Sequence, residues 1–236
     1  MHKIDVPQSI KDRVMERRGV AHVHANLNPQ TTALVVVDMQ NCFLDETVAA
    51  VYLPIARDII APINKLASVV RETGGKVVWI RNTVNDYALQ TWSEWFGMFK
   101  GTPDEVRRRA RHMALGTRGH ELHPDMDFQP GDMTVLKQRF SAFLPGSSGL
   151  TEQLRAGGYN TVIITGTATN VCCECSARDA MMLNFKVIMV SDANATWTDA
   201  EHNATLSDVY SIFGDVMDTD YLIGCLRKGV LQDAAE

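Results

Sequence analysis

Short runs of branched apolar residues alternate with longer stretches of helical periodicity, and this alternation constrains the fold more than any other feature of the sequence. The run "TALVVVD" at 32–38 has the length of a strand, and its apolar centre is typical of a strand buried on both faces. Strands separated by helices of this length form βαβ units and a parallel sheet. The sequence therefore predicts an α/β fold, a doubly wound, Rossmann-like parallel sheet with helices on both faces. Further strands are predicted at 76–82, 133–138, 160–166 and 186–193, and helices at 54–73, 150–158, 170–184, 199–213 and 218–228.

The length of 236 residues suits a single folded domain with a sizeable core. We expect residues 1–30 to form a polar N-terminal arm with a short helix, and residues 31–230 to form the domain itself.

The segment 83–132 interrupts the alternation, because it is long and contains no predicted strand. Its aromatic residues favour either packing in the core or at a subunit interface, or a lid or pocket wall over an active site, since long excursions between strands often carry function. The rings that fall at helical spacing belong to Trp92, Trp95, Phe96 and Phe99.

The charge balance limits the possible partners. A formal net charge of −5 argues against nucleic acid or an anionic membrane as the main partner. The densest basic run, "DEVRRRARH", is flanked by acidic residues and is typical of a solvated helix face.

No stretch reaches the ~18 apolar residues of a membrane helix, and the first residues lack the apolar core of a signal peptide. We therefore expect a cytoplasmic protein with a small-molecule substrate.

The cysteines suggest chemistry rather than disulfides. Five cysteines, an odd number without framework spacing, fit a compartment in which thiols stay reduced. Three of them, Cys172, Cys173 and Cys175, follow a predicted strand in "GTATNVCCECSARDA". They occupy one predicted helical turn, in which Cys173 points about 100° away from Cys172. A structural zinc site would need further ligands at metal spacing. We expect one nucleophile, Cys172, and no catalytic role for Cys173 and Cys175. We also expect no metal and no cofactor.

Three reactive side chains follow three predicted strands. Asp38, Lys137 and Cys172 each come at or just after the carboxyl end of a strand, where ligands bind in open parallel sheets. Each also has a simpler interpretation: Asp38 as a turn cap, Lys137 as a side chain that extends to solvent, and Cys172 as a small buried hydrophobic residue. Taken together, they suggest an activated thiol.

The trio supplies the groups that thiol catalysis needs. A helix start and the Lys137 ammonium would lower the pKa of Cys172. Asp38 could accept the thiol proton and later pass it to a departing amine.

Three stretches, "ALVVVDMQNCF", "VLKQRFSAF" and "GTATNVCCECSARDA", resemble the signatures of the isochorismatase-like cysteine hydrolases, and the likeness extends over roughly residues 30–215. The resemblance implies that Asp38, Lys137 and Cys172 are a catalytic triad. It also implies a doubly wound sheet, assembly into homodimers or homotetramers, and a cis peptide bond between Thr167 and Ala168. The backbone N–H groups of Ala168 and Cys172 would then form an oxyanion hole.

Within that family, Cys172 argues against the ether-hydrolysing isochorismatases, which lack the nucleophile. The stretch "IRNTVND" has no histidine, unlike the Asp-x-His metal motif of nicotinamidases. The chain thus looks most like the metal-independent amidohydrolases of the ureidoacrylate and carbamoylsarcosine type. This likeness implies that Asn82 binds substrate. Strand alternation points Gln40 to the same side as Asp38, which makes it a second candidate for substrate binding.

The sequence therefore predicts a cysteine-dependent amidohydrolase that cleaves a terminal amide or a carbamoyl or ureido C–N bond and releases ammonia. Two alternatives stay open. One is an amidase of another small amide, such as a maleamate-like acid or nicotinamide. The other is a catalytically inactive binding module.

Overall fold

A single parallel sheet organises the chain. The computed structural model describes residues 1–98 and 100–233. Its six strands lie in the order β3-β2-β1-β4-β5-β6, and every pair is parallel. The predicted doubly wound α/β fold is confirmed. The strands are β1 Thr32–Val37, β2 Lys76–Asn82, β3 Met133–Lys137, β4 Thr161–Thr167, β5 Lys186–Ala195 and β6 Asp215–Met217.

The strand order places a crevice between β1 and β4. The chain winds outward from β1 through β2 to β3, then returns to the other side of β1 and continues from β4 to β6. Connections leave the sheet in opposite directions at this switch point, and ligands of doubly wound folds bind there, outside the carboxyl ends of the strands.

Helices cover both faces of the sheet. A hydrophobic core lies on each face, and alternate side chains of β1 point into the two cores. Leu34 and Val36 pack in one core, and Val35 and Val37 pack in the other. All of β1 is buried, which accounts for its continuous apolar run. The helices are α1 Gln8–Arg18, α2 Asn41–Leu44, α3 Ile60–Glu72, α4 Asp86–Thr91, α5 Ser93–Gly97, α6 Pro103–Ala110, α7 Leu150–Ala156, α8 Glu174–Met182, α9 Asp199–Asp208 and α10 Thr219–Asp233.

Several predicted elements differ in detail from those observed. The helix expected at 54–73 begins as a 3₁₀ turn at Pro54–Ile59 before α3. The helix expected at 170–184 begins as a π turn at Thr169–Cys173 before α8. Strand β6 was missed, because its three residues are too few to produce a recognisable apolar run.

The excursion between β2 and β3 contains α4, α5 and α6, followed by 3₁₀ turns at Arg111–Met113 and Arg118–His120. Of the aromatic residues expected at helical spacing there, Trp92 ends α4, and Trp95 and Phe96 lie in α5. Phe99 lies outside the described residues.

Residues 1–30 fold back onto their own chain. The Arg18 guanidinium donates to the fully buried Asp215 carboxylate at 2.9 Å and to the carbonyl of Tyr210 at 2.8 Å. Among the residues described, no helix is both long enough and apolar enough to cross a membrane.

Candidate active site

Asp38 marks the point where the chain leaves β1. Its backbone has φ 55°, a left-handed conformation that costs a residue other than glycine about 1–2 kcal/mol. Its N–H donates to the carbonyl of Ile80 at 3.1 Å, which ties the turn to β2. On the other side, a Cβ atom at Gly166 would lie 2.0 Å from the Val37 carbonyl oxygen. Glycine at 166 therefore lets β4 approach the end of β1 and fixes the crevice beside Asp38.

Lys137 ends β3 and its side chain reaches across the top of the sheet. Its Nζ lies 2.7 Å from Asp38 Oδ2, 3.2 Å from the Arg139 carbonyl oxygen and 3.4 Å from Cys172 Sγ. An ammonium group has three protons to donate, and these three acceptors match them. Lys137 is fully buried, so it does not extend to solvent.

Cys172 lies in the π turn that follows β4 and is 6% exposed. Its thiol interacts with the Asp38 carboxyl group as well as with Lys137. The structure therefore brings together the three side chains that sequence reasoning chose from three separate strand ends. We call Asp38, Lys137 and Cys172 the floor of the site.

Burial determines the protonation of the floor. It raises the pKa of the Cys172 thiol, against the opposing influence of Lys137. Burial also raises the pKa of Asp38, against the pull of Lys137. For Lys137, burial would lower the pKa, but the neighbouring Asp38 and Cys172 raise it above its ordinary value. The resting floor thus pairs the Lys137 ammonium with the Asp38 carboxyl group, beside a Cys172 thiol that burial holds in its neutral form.

The sequence predicts that the helix start and Lys137 lower the pKa of the thiol. Lys137 does lower it, but burial outweighs this contribution and the net pKa is raised. Sequence spacing shows the cation but not the dry surroundings, and removal from water penalises a thiolate more than one already paired ammonium can compensate. The Asp38 carboxyl group interacts with the same thiol.

The peptide bond between Thr167 and Ala168 is cis, as the resemblance implied. The Thr167 hydroxyl donates to the Asp38 carbonyl at 3.2 Å, so the end of β4 is tied to the turn after β1. Thr167 and Ala168 line the same cavity as Cys172.

Gln40 and Asn82 lie at neighbouring strand ends but differ in access to the cavity. Gln40 is fully buried, and its side-chain amide forms hydrogen bonds with backbone groups only. Its Nε2 donates to the carbonyls of His120 and Asn82, at 2.8 and 3.2 Å. Its Oε1 accepts from the Asn82 N–H at 2.7 Å. Asn82 lines the cavity. The contacts of Gln40 thus hold the Asn82 backbone in place, and only Asn82 of the two borders the space above Cys172.

A cavity of about 300 Å³ opens above Cys172. One side of it, which we call the aromatic wall, is formed by four rings that touch one another. The Trp92 and Trp95 rings stack at 5.6 Å, and Phe140 meets both edge-on at 4.8 Å. The fourth ring, Phe96, meets Trp92 edge-on at 6.1 Å.

The Isochorismatase domain model matches residues 32–221, which includes every floor residue and most of the chain. The chain belongs to the isochorismatase family. The resemblance drawn from the three sequence stretches is therefore confirmed.

Known members of the isochorismatase family are similar over most of their length. A ureidoacrylate amidohydrolase, RutB, from Agrobacterium fabrum is 31% identical over 214 residues, which cover 86% of this chain and 92% of that protein. A cysteine hydrolase from Pseudomonas syringae pv. phaseolicola superposes with a TM-score of 0.74 at 30% identity, covering 86% of this chain and 96% of that one. N-carbamoylsarcosine amidase from Thermoplasma acidophilum gives a TM-score of 0.63 at 27% identity, covering 80% and 97%. The expected enzyme class, a hydrolase acting on amide C–N bonds, is confirmed.

Some residues of this isochorismatase-family site escaped sequence reasoning. Arg109 is exposed on α6, as expected of a solvated face, but it also lines the cavity, as do Phe140 and Trp197. Arg139 donates to the Thr91 hydroxyl at 2.8 Å and lies 5.1 Å from the Trp92 ring, so its guanidinium holds the aromatic wall. These placements depend on how the excursion folds back over the sheet. No local sequence signal marks them.

A buried histidine supports the turn that carries Cys172. His202 Nε2 lies 3.0 Å from the Ser191 carbonyl oxygen, and its Nδ1 lies 2.9 Å from the Thr169 hydroxyl. Since a carbonyl only accepts, Nε2 carries the proton and Nδ1 of the neutral ring accepts from Thr169. Burial lowers the pKa of His202 to about 4. The ring of His2, from the N-terminal arm, stacks on it at 4.4 Å.

Within residues 1–98 and 100–233, no three His, Cys, Asp or Glu side chains are grouped so that they could hold a metal ion. The two cysteines that follow Cys172 along the chain have separate surroundings. Cys173 is fully buried with its Sγ 3.9 Å from the Thr165 carbonyl oxygen, and Cys175 is half-buried outside the cavity lining.

Proposed function

We propose that this protein is a cysteine-dependent amidohydrolase that cleaves a terminal amide, or a carbamoyl or ureido C–N bond, of a small molecule and releases ammonia. The observation that carries the proposal is the position of Lys137 Nζ, 2.7 Å from Asp38 Oδ2 and 3.4 Å from Cys172 Sγ, beneath a closed-in cavity. A base, a cation and a nucleophile in mutual contact are the parts of an activated thiol.

In the first step, Asp38 removes the proton of Cys172 as the sulfur attacks the substrate carbonyl carbon. The new negative charge resides first on the sulfur, where Lys137 stabilises it, and then on the carbonyl oxygen. The backbone N–H groups of Ala168 and Cys172 are the proposed donors to that oxyanion, and one such donor contributes about 3–4 kcal/mol to transition-state stabilisation.

In the second step, Asp38 delivers its proton to the amide nitrogen, the C–N bond breaks and ammonia leaves. The acyl group stays on Cys172 as a thioester, or as a thiocarbamate when the substrate is a urea. Water then attacks the acyl carbon, with Asp38 accepting the water proton, and the released thiolate is reprotonated. The balance is one amide and one water consumed, and one acid and one ammonia formed. A ureido substrate gives a carbamic acid, which decomposes to an amine and carbon dioxide.

Two further observations support this chemistry. The protonated resting state of Cys172 gives Asp38 a proton to take. The similarity to a ureidoacrylate amidohydrolase and to N-carbamoylsarcosine amidase supports a C–N bond next to a carbonyl as the bond cleaved. Asn82, the polar side chain from the end of β2 that lines the cavity, is the proposed ligand for the substrate's polar group.

Ammonia release tests the proposal most directly. Wild type should release ammonia from at least one member of a panel of primary amides and ureido compounds, and Cys172→Ala should lower the rate at least about 10³-fold. Intact-protein mass spectrometry of rapidly quenched wild type should show the substrate acyl group on Cys172. Cys175→Ser is the matched control and should keep the wild-type rate. Equal release by Cys172→Ala would overturn the nucleophile, and no ammonia release by wild type from any compound of the panel would favour a binding module.

Assembly as a homodimer or homotetramer and a cytoplasmic location remain predictions. The five described cysteines are all free thiols, which supports a reducing compartment.

A further inference from the structure

The cavity above Cys172 has two chemically different ends. At the Cys172 end, the lining includes polar or reactive groups from Asn82, Thr167 and Cys172. Away from it, the lining is almost wholly apolar and includes the aromatic wall, with Trp197 at an exposed position and Phe43 from α2. A site of this kind accepts a ligand with one polar group and an apolar body.

The rings of the aromatic wall pack closely against one another. Trp92 and Trp95 stack with an interplanar angle of 28°, while Phe140 stands edge-on to both, at 71° and 81°. Ring systems bind another ring through offset-stacked or edge-to-face contacts of this same type. Trp92, Trp95 and Phe140 all line the cavity, so a bound ring would lie against aromatic side chains.

The cavity offers little to an acidic group. Of the residues described along its lining, Arg109 alone carries a charge. Arg109 lies at an exposed position on α6, where its Nη2 already donates to the Lys100 carbonyl at 2.8 Å. The Glu105 carboxylate, one helical turn earlier, interacts with the same guanidinium. A carboxylate inside the apolar part of the cavity would have no counterion there, and an unpaired buried charge is strongly disfavoured.

We infer that the substrate is a primary amide or a terminal urea whose remaining part is an uncharged, flat, apolar group, such as a phenyl ring, held against the aromatic wall. The inference rests on the proposed function, because it assumes that the amide or ureido carbonyl is directed at Cys172. It separates this chain from enzymes that act on small ureido acids, since the acid group of such a compound would face Trp92, Trp95 and Phe140 instead of a cation.

Two matched pairs of compounds isolate this feature. Benzylurea and ureidoacetate share the ureido group and one methylene, and differ only in phenyl against carboxylate. Phenylacetamide and malonamate form the same pair for a primary amide. With wild type, the phenyl member of the hydrolysed pair should have a kcat/KM for ammonia release at least tenfold above that of its acidic partner. A reversed preference would overturn the inference while leaving the proposed function intact.

Variants locate the preference in the wall. Trp95→Gln should reduce the ratio of the two kcat/KM values at least tenfold, and Trp95→Phe should restore most of it. Tyr87→Gln is the matched control, because Tyr87 is 60% exposed on the neighbouring helix and lies outside the cavity lining, so it should leave the ratio unchanged. Equal loss in Tyr87→Gln would indicate general disturbance of the excursion and would overturn the assignment to the wall.

A binding measurement separates the two proposals if hydrolysis fails. Three of the four tryptophans, Trp92, Trp95 and Trp197, line the cavity, so tryptophan fluorescence reports occupancy. Cys172→Ala titrated with each pair should show saturable quenching by the phenyl compounds at concentrations at least tenfold below those needed for the acids. Selective quenching without hydrolysis by wild type would overturn the proposed function and support the inference. Quenching by the acids alone, or by neither member, would overturn the inference.

Discussion

The floor and the aromatic wall of the site differ in burial, in charge and in the part of the chain that builds them. Asp38 and Lys137 are fully buried and joined by a 2.7 Å ion pair. Trp92 and Trp95, in contrast, are partly exposed and belong to the short helices of the excursion between β2 and β3. The floor is fixed by strand ends, whereas the wall is held by ring contacts and a few hydrogen bonds. Because of this difference, we expect substitutions in the wall to leave the geometry of the floor intact.

Removing the charge of the floor should have the largest effect. Lys137→Met leaves the Asp38 carboxylate buried without its ammonium partner, so we expect loss of ammonia release and about 3–5 kcal/mol less free energy of unfolding. This loss of stability can be measured by urea titration. In that measurement Trp95→Leu should lose only about 1 kcal/mol, because the ring is partly exposed.

The double variant Asp38→Asn/Lys137→Met distinguishes charge from packing. It should recover much of the unfolding free energy lost in Lys137→Met and stay inactive, since the unpaired carboxylate has gone but so has the base. A Lys137→Met protein as stable and as active as wild type would contradict this comparison, because a substitution in the floor would then cost no more stability or activity than one in the wall.

The second largest effect is expected from acid, which should destabilise the protein through His202, the buried side chain that supports the turn carrying Cys172. The pKa of His202 is lowered to about 4, below the ordinary 6.5, so the folded protein favours the neutral ring. The unfolded chain takes up a proton first as the pH falls, and the stability that His202 contributes is therefore complete above pH 6.5 and lost towards pH 4. The full loss corresponds to about 3 kcal/mol.

His202→Gln tests this pH dependence, because it removes the titrating group and keeps a side chain that can bond Thr169 or Ser191. The difference in unfolding free energy between wild type and His202→Gln should shrink as the pH falls from 7 to 4.5. A difference that stays constant over this range would show that the ring is not held neutral. The side-chain substitution Tyr87→Gln, in the excursion, should shift stability equally at both pH values.

The smallest effect is expected at Arg139, which connects the two regions. Its backbone carbonyl accepts from Lys137 of the floor, and its guanidinium bonds Thr91 and covers Trp92 of the wall. Arg139→Ala should raise KM about three- to tenfold with kcat nearly unchanged, in line with a net loss of ~1 kcal/mol from its partly exposed hydrogen bonds to Thr91 and Gln138 and one cation–π contact. Arg139→Lys, which keeps the charge, should recover part of the KM. A fall in kcat with constant KM would instead place Arg139 in the floor.

The sequence alone determined the sheet and the floor. Continuous apolar runs such as 33–37 are typical of strands buried on both faces, and parallel strands bring their carboxyl ends to one edge. For this reason Asp38, Lys137 and Cys172, read from three distant stretches, come into contact in the fold.

Only the tertiary structure decided the protonation of the floor and the identity of the wall. Burial, which no local pattern reveals, raises the pKa of Cys172 where the sequence suggested the opposite. Arg109 and Phe140 belong to segments far apart in the sequence, and they line one cavity because the excursion folds back over the strand ends. Local periodicity specifies which residues form a strand or helix. Contacts between residues distant in sequence decide which side chains are buried together, away from water. The protonation states and the apolar cavity follow from those contacts.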